Sequence, residues 1–242
     1  MFAGMFSDSS RSWTTLTGSM PGLRTVYRDR TDAGRRLAAR LLSLRDHPLV
    51  VGLPRGGMVV AREVALALDA PLEALVTRKL GAPEQPEWAA GAIAPGGILH
   101  LDERYPWDAA ALERVVARER AEMERRIQRY DGAGTLPDVE GRTVVVVDDG
   151  IATGLTMWAA LQALREAGAG TIVVAVPVCP HDTAEAMRAA VEAFVCPLVP
   201  DHFHAVGEWY EQFAPVSDEE VRACLAAVRA QQRASSADGD AE

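Results

Sequence analysis

The 242-residue chain carries 34 acidic against 25 basic residues, a formal net charge of -9 and an isoelectric point near 5.1. That balance excludes a broad phosphate-backbone footprint, which needs a basic face, so no nucleic-acid partner is expected. No apolar run reaches the ~20 residues needed to span a bilayer, so no membrane partner is expected either.

Before the first strand, residues 1–22 are rich in Ser, Thr and Gly and read as a flexible tail without the basic start and apolar run of a signal peptide. Residues 26–41 (VYRDRTDAGRRLAARL) read as a strand-like start and an amphipathic helix capped by Thr31 or Asp32. PLVVGL at 48–53 reads as a buried strand, 57–70 as a helix, and LEALVTRK at 72–79 as a second strand. Residues 81–97 hold three prolines and four glycines and read as a long loop. ILHLDE (98–103) reads as a short edge strand. Residues 107–130 form a charged helix with an apolar stripe at Leu112, Val115, Val116, Met123 and Ile127, its charges forming a solvated face.

TVVVVDD at 143–149 is a strand whose unbroken valines ask for burial on both faces. A helix over 155–168, a strand over 171–178, a helix over 181–193 and a strand over 194–200 follow. An irregular aromatic stretch spans 201–215. Ser217 and Glu220 form a capping box opening a helix over 217–232, and the polar end, 232–242, reads as a second tail. Strands alternating with helices imply an α/β protein, a three-layer α/β/α sandwich with a mostly parallel central sheet. Residues 23–231 are expected to form one domain. Cys179, Cys196 and Cys224 share no CxxC spacing and read as reduced thiols of a cytoplasmic protein.

The chemistry concentrates in VVVVDDGIATGLT, Val144 to Thr156. Asp148 and Asp149 end a central strand, where parallel sheets bind ligands. Two adjacent carboxylates repel, so they ask for hydroxyls or a cation. The loop Gly150, Ile151, Ala152, Thr153, Gly154, Leu155, Thr156 leads into a helix N-terminus, whose free N–H groups favour a phosphate. A sugar phosphate with vicinal hydroxyls and a magnesium ion offers both. A P-loop is excluded because no lysine lies here, and no G-x-G-x-x-G fingerprint follows a strand.

This stretch resembles the motif that binds phosphoribosyl diphosphate (PRPP) in type I phosphoribosyltransferases: a hydrophobic strand, two acidic residues and an Ala-Thr-Gly-x-Thr loop. VGLPRGGMVVA resembles that family's diphosphate loop, and TRKLGAPEQPEW the start of its flexible active-site loop. The resemblance covers about residues 27–213 and is nearest to a bacterial group of predicted phosphoribosyltransferases whose accepted base is unassigned. It implies Mg²⁺ as cofactor, PRPP and a nucleobase as partners, and a homodimer. It also implies transfer of ribose 5-phosphate to a nitrogenous base, a purine by preference, with release of diphosphate.

On that resemblance, Asp148 and Asp149 hold the ribose hydroxyls directly or through Mg²⁺, the 150–156 loop holds the 5-phosphate, and Pro54, Arg55, Gly56 and Gly57 hold the diphosphate. Arg78 and the chain's only lysine, Lys79, bring positive charge. A small hood is expected from residues 24–45 and 201–231, with Phe203, Trp209 or Tyr210 stacking the base. Ala152 stands where hypoxanthine-type members carry Asp, which leaves the base open. Asp201, His202 and His204 are too weakly patterned to claim a metal, and His47, His100 and His181 read as structural or exposed. A non-catalytic PRPP-binding regulator and transfer to a non-purine acceptor are the competing readings.

Overall fold

The computed structural model describes residues 26–44, 47–130 and 135–239. The tail expected at 1–22 lies outside them. Helices α1 (Arg30–Ala38), α2 (Gly56–Leu68), α3 (Ala109–Arg129), α4 (Leu155–Glu166), α5 (His181–Ala190) and α6 (Asp218–Gly239) surround two sheets. The central sheet is built from β1 (Leu49–Gly52), β2 (Leu72–Ala74), β6 (Thr143–Val147), β7 (Thr171–Ala175) and β8 (Ala193–Val195). Its order is β2-β1-β6-β7-β8, and every pairing is parallel. Val144 to Val147 are all 0% exposed, and complete burial of each such side chain contributes about 1.5–3 kcal/mol. That burial makes β6 the middle strand.

Alternate residues serve opposite faces. Val50, Val145, Val147, Val173 and Ala175 pack into one cluster with side chains of α2 and α6. Leu49, Val51, Val144, Val146, Ile172 and Val174 pack into another with side chains of α4 and α5. The three-layer sandwich expected from the sequence is the observed fold.

The structure corrects several expectations. Residues 72–79 do not form one strand: β2 stops at Ala74, and β3 (Arg78–Ala82) starts a separate antiparallel sheet, β3-β4-β5. The expected loop 81–97 is mostly strand, with β4 at Gln85–Ala94 and β5 at Ile98–Leu101. Its small residues are why it did not read as a strand and also why it packs. Ala92 and Ala94 lie flat against Ala159 and Ala163 of α4, all four buried. Residues 218–231, expected within the hood, lie on α6. Val221, Cys224, Leu225 and Val228 form a stripe at helical spacing that joins the core cluster containing α2. The helix opens on the expected Ser217–Glu220 box and continues to Gly239, past the expected tail start at 232.

The remaining hood segments meet. Asp29, rather than Thr31 or Asp32, caps α1 by accepting the Asp32 N–H at 2.8 Å. Tyr27 bridges to Tyr210, and both bury with Ala33, Val178 and Trp209.

Candidate active site

The strand order reverses between β1 and β6, since β1 leads outward to β2 while β6 leads the other way to β7 and β8. Such a switch point leaves a crevice at the carboxyl ends of the two strands. Pro54 to Gly57 leaves β1 there, through a cis peptide between Pro54 and Arg55, and Asp148 to Thr156 leaves β6. Together with β3, β4 and α3 they bound a cavity of about 610 Å³.

Close packing explains the paired glycines. A Cβ on Gly57 would stand 2.9 Å from the Asp148 Cα, and one on Gly56 would stand 1.9 Å from Asp149 Oδ2. No side chain fits at either place while the aspartates keep their positions.

Asp148 Oδ1 accepts the Asp149 N–H at 2.8 Å. Asp149 Oδ2 accepts from Arg30 Nε at 2.7 Å. Arg30 is itself fixed: Nη1 donates to the Ala214 carbonyl at 2.7 Å, and the guanidinium lies 3.8 Å from the Phe213 ring centre. The Tyr210 hydroxyl donates to the Asp149 carbonyl at 2.5 Å. Burial pushes the Asp148 carboxyl well above the usual carboxylate range, and the Asp149 charge pushes it further. Burial also raises Asp149, with Arg30 pulling it back. The pair is short of positive charge, so a cation or hydroxyl donors would relieve it.

Beyond them, Gly154 adopts φ +80° and ends the loop as the N-cap of α4 without a side-chain cap. The first N–H groups of α4 therefore have no intrahelical partner, which suits an anion. Ala152, Thr153 and Thr156 line the cavity. The loop is held from behind, where Ile151 N–H donates to Val178 and Thr183 Oγ1 donates to the Ala152 carbonyl at 2.9 Å.

The opposite wall carries Arg78, Lys79, Arg118, Glu119 and Arg126. Glu119 is 7% exposed. Its Oε2 accepts from Arg78 Nε at 3.0 Å and Nη2 at 2.6 Å, and its Oε1 accepts from Arg118 Nε at 2.9 Å.

A family model described as the phosphoribosyl transferase domain matches residues 26–212. The chain belongs to the phosphoribosyl transferase family. A Mycobacterium tuberculosis protein carrying a provisional phosphoribosyl transferase name, in strains CDC 1551 and H37Rv, is 45% identical over 205 residues. The match covers 83% of this chain and 46% of the relative, so the chain spans about half the length of these curated relatives. TT1426 from Thermus thermophilus, known by crystal structure, is 45% identical with a TM-score of 0.70, covering 83% of this chain and 97% of that one. A ribose-phosphate pyrophosphokinase of Methanopyrus kandleri is 61% identical over 44 residues, 18% of this chain and 14% of its own.

In this phosphoribosyl transferase domain the fold gathers most of the residues singled out from the sequence. Pro54, Arg55, Gly56, Arg78, Lys79, Asp148 to Gly154 and Thr156 all line one cavity. Gly57 sits behind Asp148, and the Leu155 side chain turns into the cluster under β4. The aromatic residues are not brought in. Trp209 and Tyr210 are buried with Tyr27, and Phe203 packs on that cluster; of the hood, Val206 lines the cavity. Among the described residues, no group of three or more His, Cys, Asp or Glu gathers to hold a metal ion.

Arg30 and Glu119 are among the site residues that the sequence reading does not mark. Arg30 was one arginine among several on an amphipathic helix. Glu119 was counted with the solvated charges of α3, although it sits on a helical row with Val115 and Met123, both buried, and that spacing could have marked it.

Proposed function

We propose that this domain transfers ribose 5-phosphate from PRPP to a nitrogenous acceptor and releases diphosphate. The observation that carries the reading is the meeting of two adjacent aspartates, an uncapped helix N-terminus and the Pro54–Gly57 turn around one cavity. In this reading the C1–O bond to diphosphate breaks and its electron pair leaves with the diphosphate. The acceptor nitrogen forms the C1–N bond with its lone pair and gives its proton to solvent or to a nearby base.

Asp148 and Asp149 hold the ribose hydroxyls. The α4 N-terminus with Thr153 and Thr156 holds the 5-phosphate. Arg55 and the close backbone of Gly56 and Gly57 hold the diphosphate. Positive charge develops on the ribose ring, and the nearby carboxylates favour it. Mg²⁺ fits the donor set, since the paired carboxylates offer hard oxygen ligands and Arg30 pairs with only one of them. When bound, it neutralises the leaving diphosphate.

With Trp209 and Tyr210 buried in the hood, the acceptor is bounded by Val206 instead of an aromatic ring. The acceptor is drawn as a nucleobase, with a purine first. The test is a diphosphate-release assay with PRPP, Mg²⁺ and a panel of nucleobases, run beside the Asp148→Asn/Asp149→Asn double variant. Base-dependent release that vanishes in the variant is expected. Unchanged PRPP affinity of the double variant by calorimetry sinks the assignment.

A further inference from the structure

We propose that α3 adds a second anion-binding wall to the cavity. Arg78, Arg118 and Arg126 form it, and Glu119 is a resident counter-anion that an incoming diphosphate group displaces. The proposal names a subsite of the cavity read above as a PRPP site, and rests on that reading for the source of its ligand.

Glu119 stands out on its own helix. The neighbouring acids of α3 reach solvent, whereas Glu119 is 7% exposed and faces a cavity lined by arginines from two elements. Both of its oxygens accept guanidinium protons, from Arg78 on β3 and from Arg118 one residue before it. A carboxylate held by two guanidinium groups presents the same paired oxygens that a phosphate would present to them.

The arginines have capacity beyond that carboxylate. Among the described residues, Arg118 is engaged only through Nε, and its side chain is 62% exposed. Arg126 lines the same cavity and donates from Nε to Glu122 at 3.0 Å. The wall shares its cavity with the diphosphate turn, since Arg55 and Gly56 line it together with Arg78, Arg118 and Arg126.

The arrangement also answers an energetic problem. Arg78 is part-buried, and in an empty site it would be an uncompensated cation, a costly state. Glu119 keeps Arg78 paired until a phosphate takes over. It also competes with the ligand. That competition weakens the hold on free diphosphate and favours its departure after the reaction.

Calorimetric titration with inorganic diphosphate tests the wall, and titration with ribose 5-phosphate separately tests the α4 seat. Glu119→Gln is expected to bind diphosphate on the order of tenfold more tightly, as expected from removing one charge-assisted competitor. Arg118→Gln/Arg126→Gln is expected to bind it about tenfold more weakly. Neither change should move ribose 5-phosphate affinity by more than about twofold, since distant sites act independently. Equal or weaker diphosphate binding by a normally melting Glu119→Gln protein overturns the proposal. So does unchanged binding by the arginine double variant, which decides the matter alone if the Glu119 variant does not fold. If wild type binds ribose 5-phosphate but diphosphate binding ignores these changes, only the wall falls. If diphosphate binding follows the wall and ribose 5-phosphate does not bind, the transferase reading falls and the anion subsite stands.

Discussion

Gly56→Ala is a one-methyl change whose consequence follows from a distance. The new Cβ would stand 1.9 Å from Asp149 Oδ2, 2.7 Å from its carboxyl carbon and 2.9 Å from Arg30 Nε. To regain ordinary van der Waals contact, the carboxylate has to retreat by about 1.5 Å. That retreat carries it off the 2.7 Å bond to Arg30. Displacing a positioned group by about 1 Å costs on the order of a hundredfold in binding or rate. Overpacking of this kind destabilises by about 1–3 kcal/mol, or roughly 2–12 °C in Tm for a chain of this size. PRPP calorimetry and a thermal melt on the same preparation read both effects. A Gly56→Ala protein with wild-type PRPP affinity would show that the placement of Asp149 does not govern the site, and the reasoning would fall with it.

Other outcomes follow from the same geometry. Asp148→Asn should raise Tm at neutral pH. The folded carboxyl has a raised pKa, through burial first and the Asp149 charge second. The unfolded chain therefore loses its proton first, and stability falls as pH rises from the ordinary carboxylate range toward the raised value. Below that range Asp and Asn should melt alike, and a Tm difference that does not depend on pH would contradict the linkage. Arg30→Gln should lift the Asp149 pKa further and move the acid limb of the kcat/KM profile to higher pH; an unmoved limb would leave Arg30 a packing role only. Ala159→Leu should push β4 off α4 and destabilise by about 1–3 kcal/mol in chemical denaturation, and a neutral result would mean the two elements are not locked together.

The sandwich was legible because its signals are local. Four consecutive valines cannot face water, and the helices carry their stripes at the right spacing. The aspartate pair and the loop behind it were legible because their chemistry is written in consecutive residues. What was hidden depends on partners far away in the chain. Ala92 and Ala94 look like loop residues until the small residues of α4 are set against them. Trp209 and Tyr210 look like a stacking platform until Tyr27 and Ala33 fill the space on their apolar side. Glu119 looks solvated until Arg78, 41 positions earlier, closes over it. Arg30 lies 119 positions from Asp149, and nothing local marks the pairing.

The switch point between β1 and β6 has a thermodynamic consequence. One ligand touching both loops adds a second tie, beyond the β1–β6 ladder, between two parts of the chain separated in sequence by α2, β2, β3, β4, β5 and α3. Such a ligand has no counterpart surface in the unfolded chain, so its affinity adds to the stability of the whole sheet. At a hundred times its Kd it would contribute about 2.7 kcal/mol, similar to the burial of one core side chain. Substrate supply would then set the lifetime of this protein as well as its turnover.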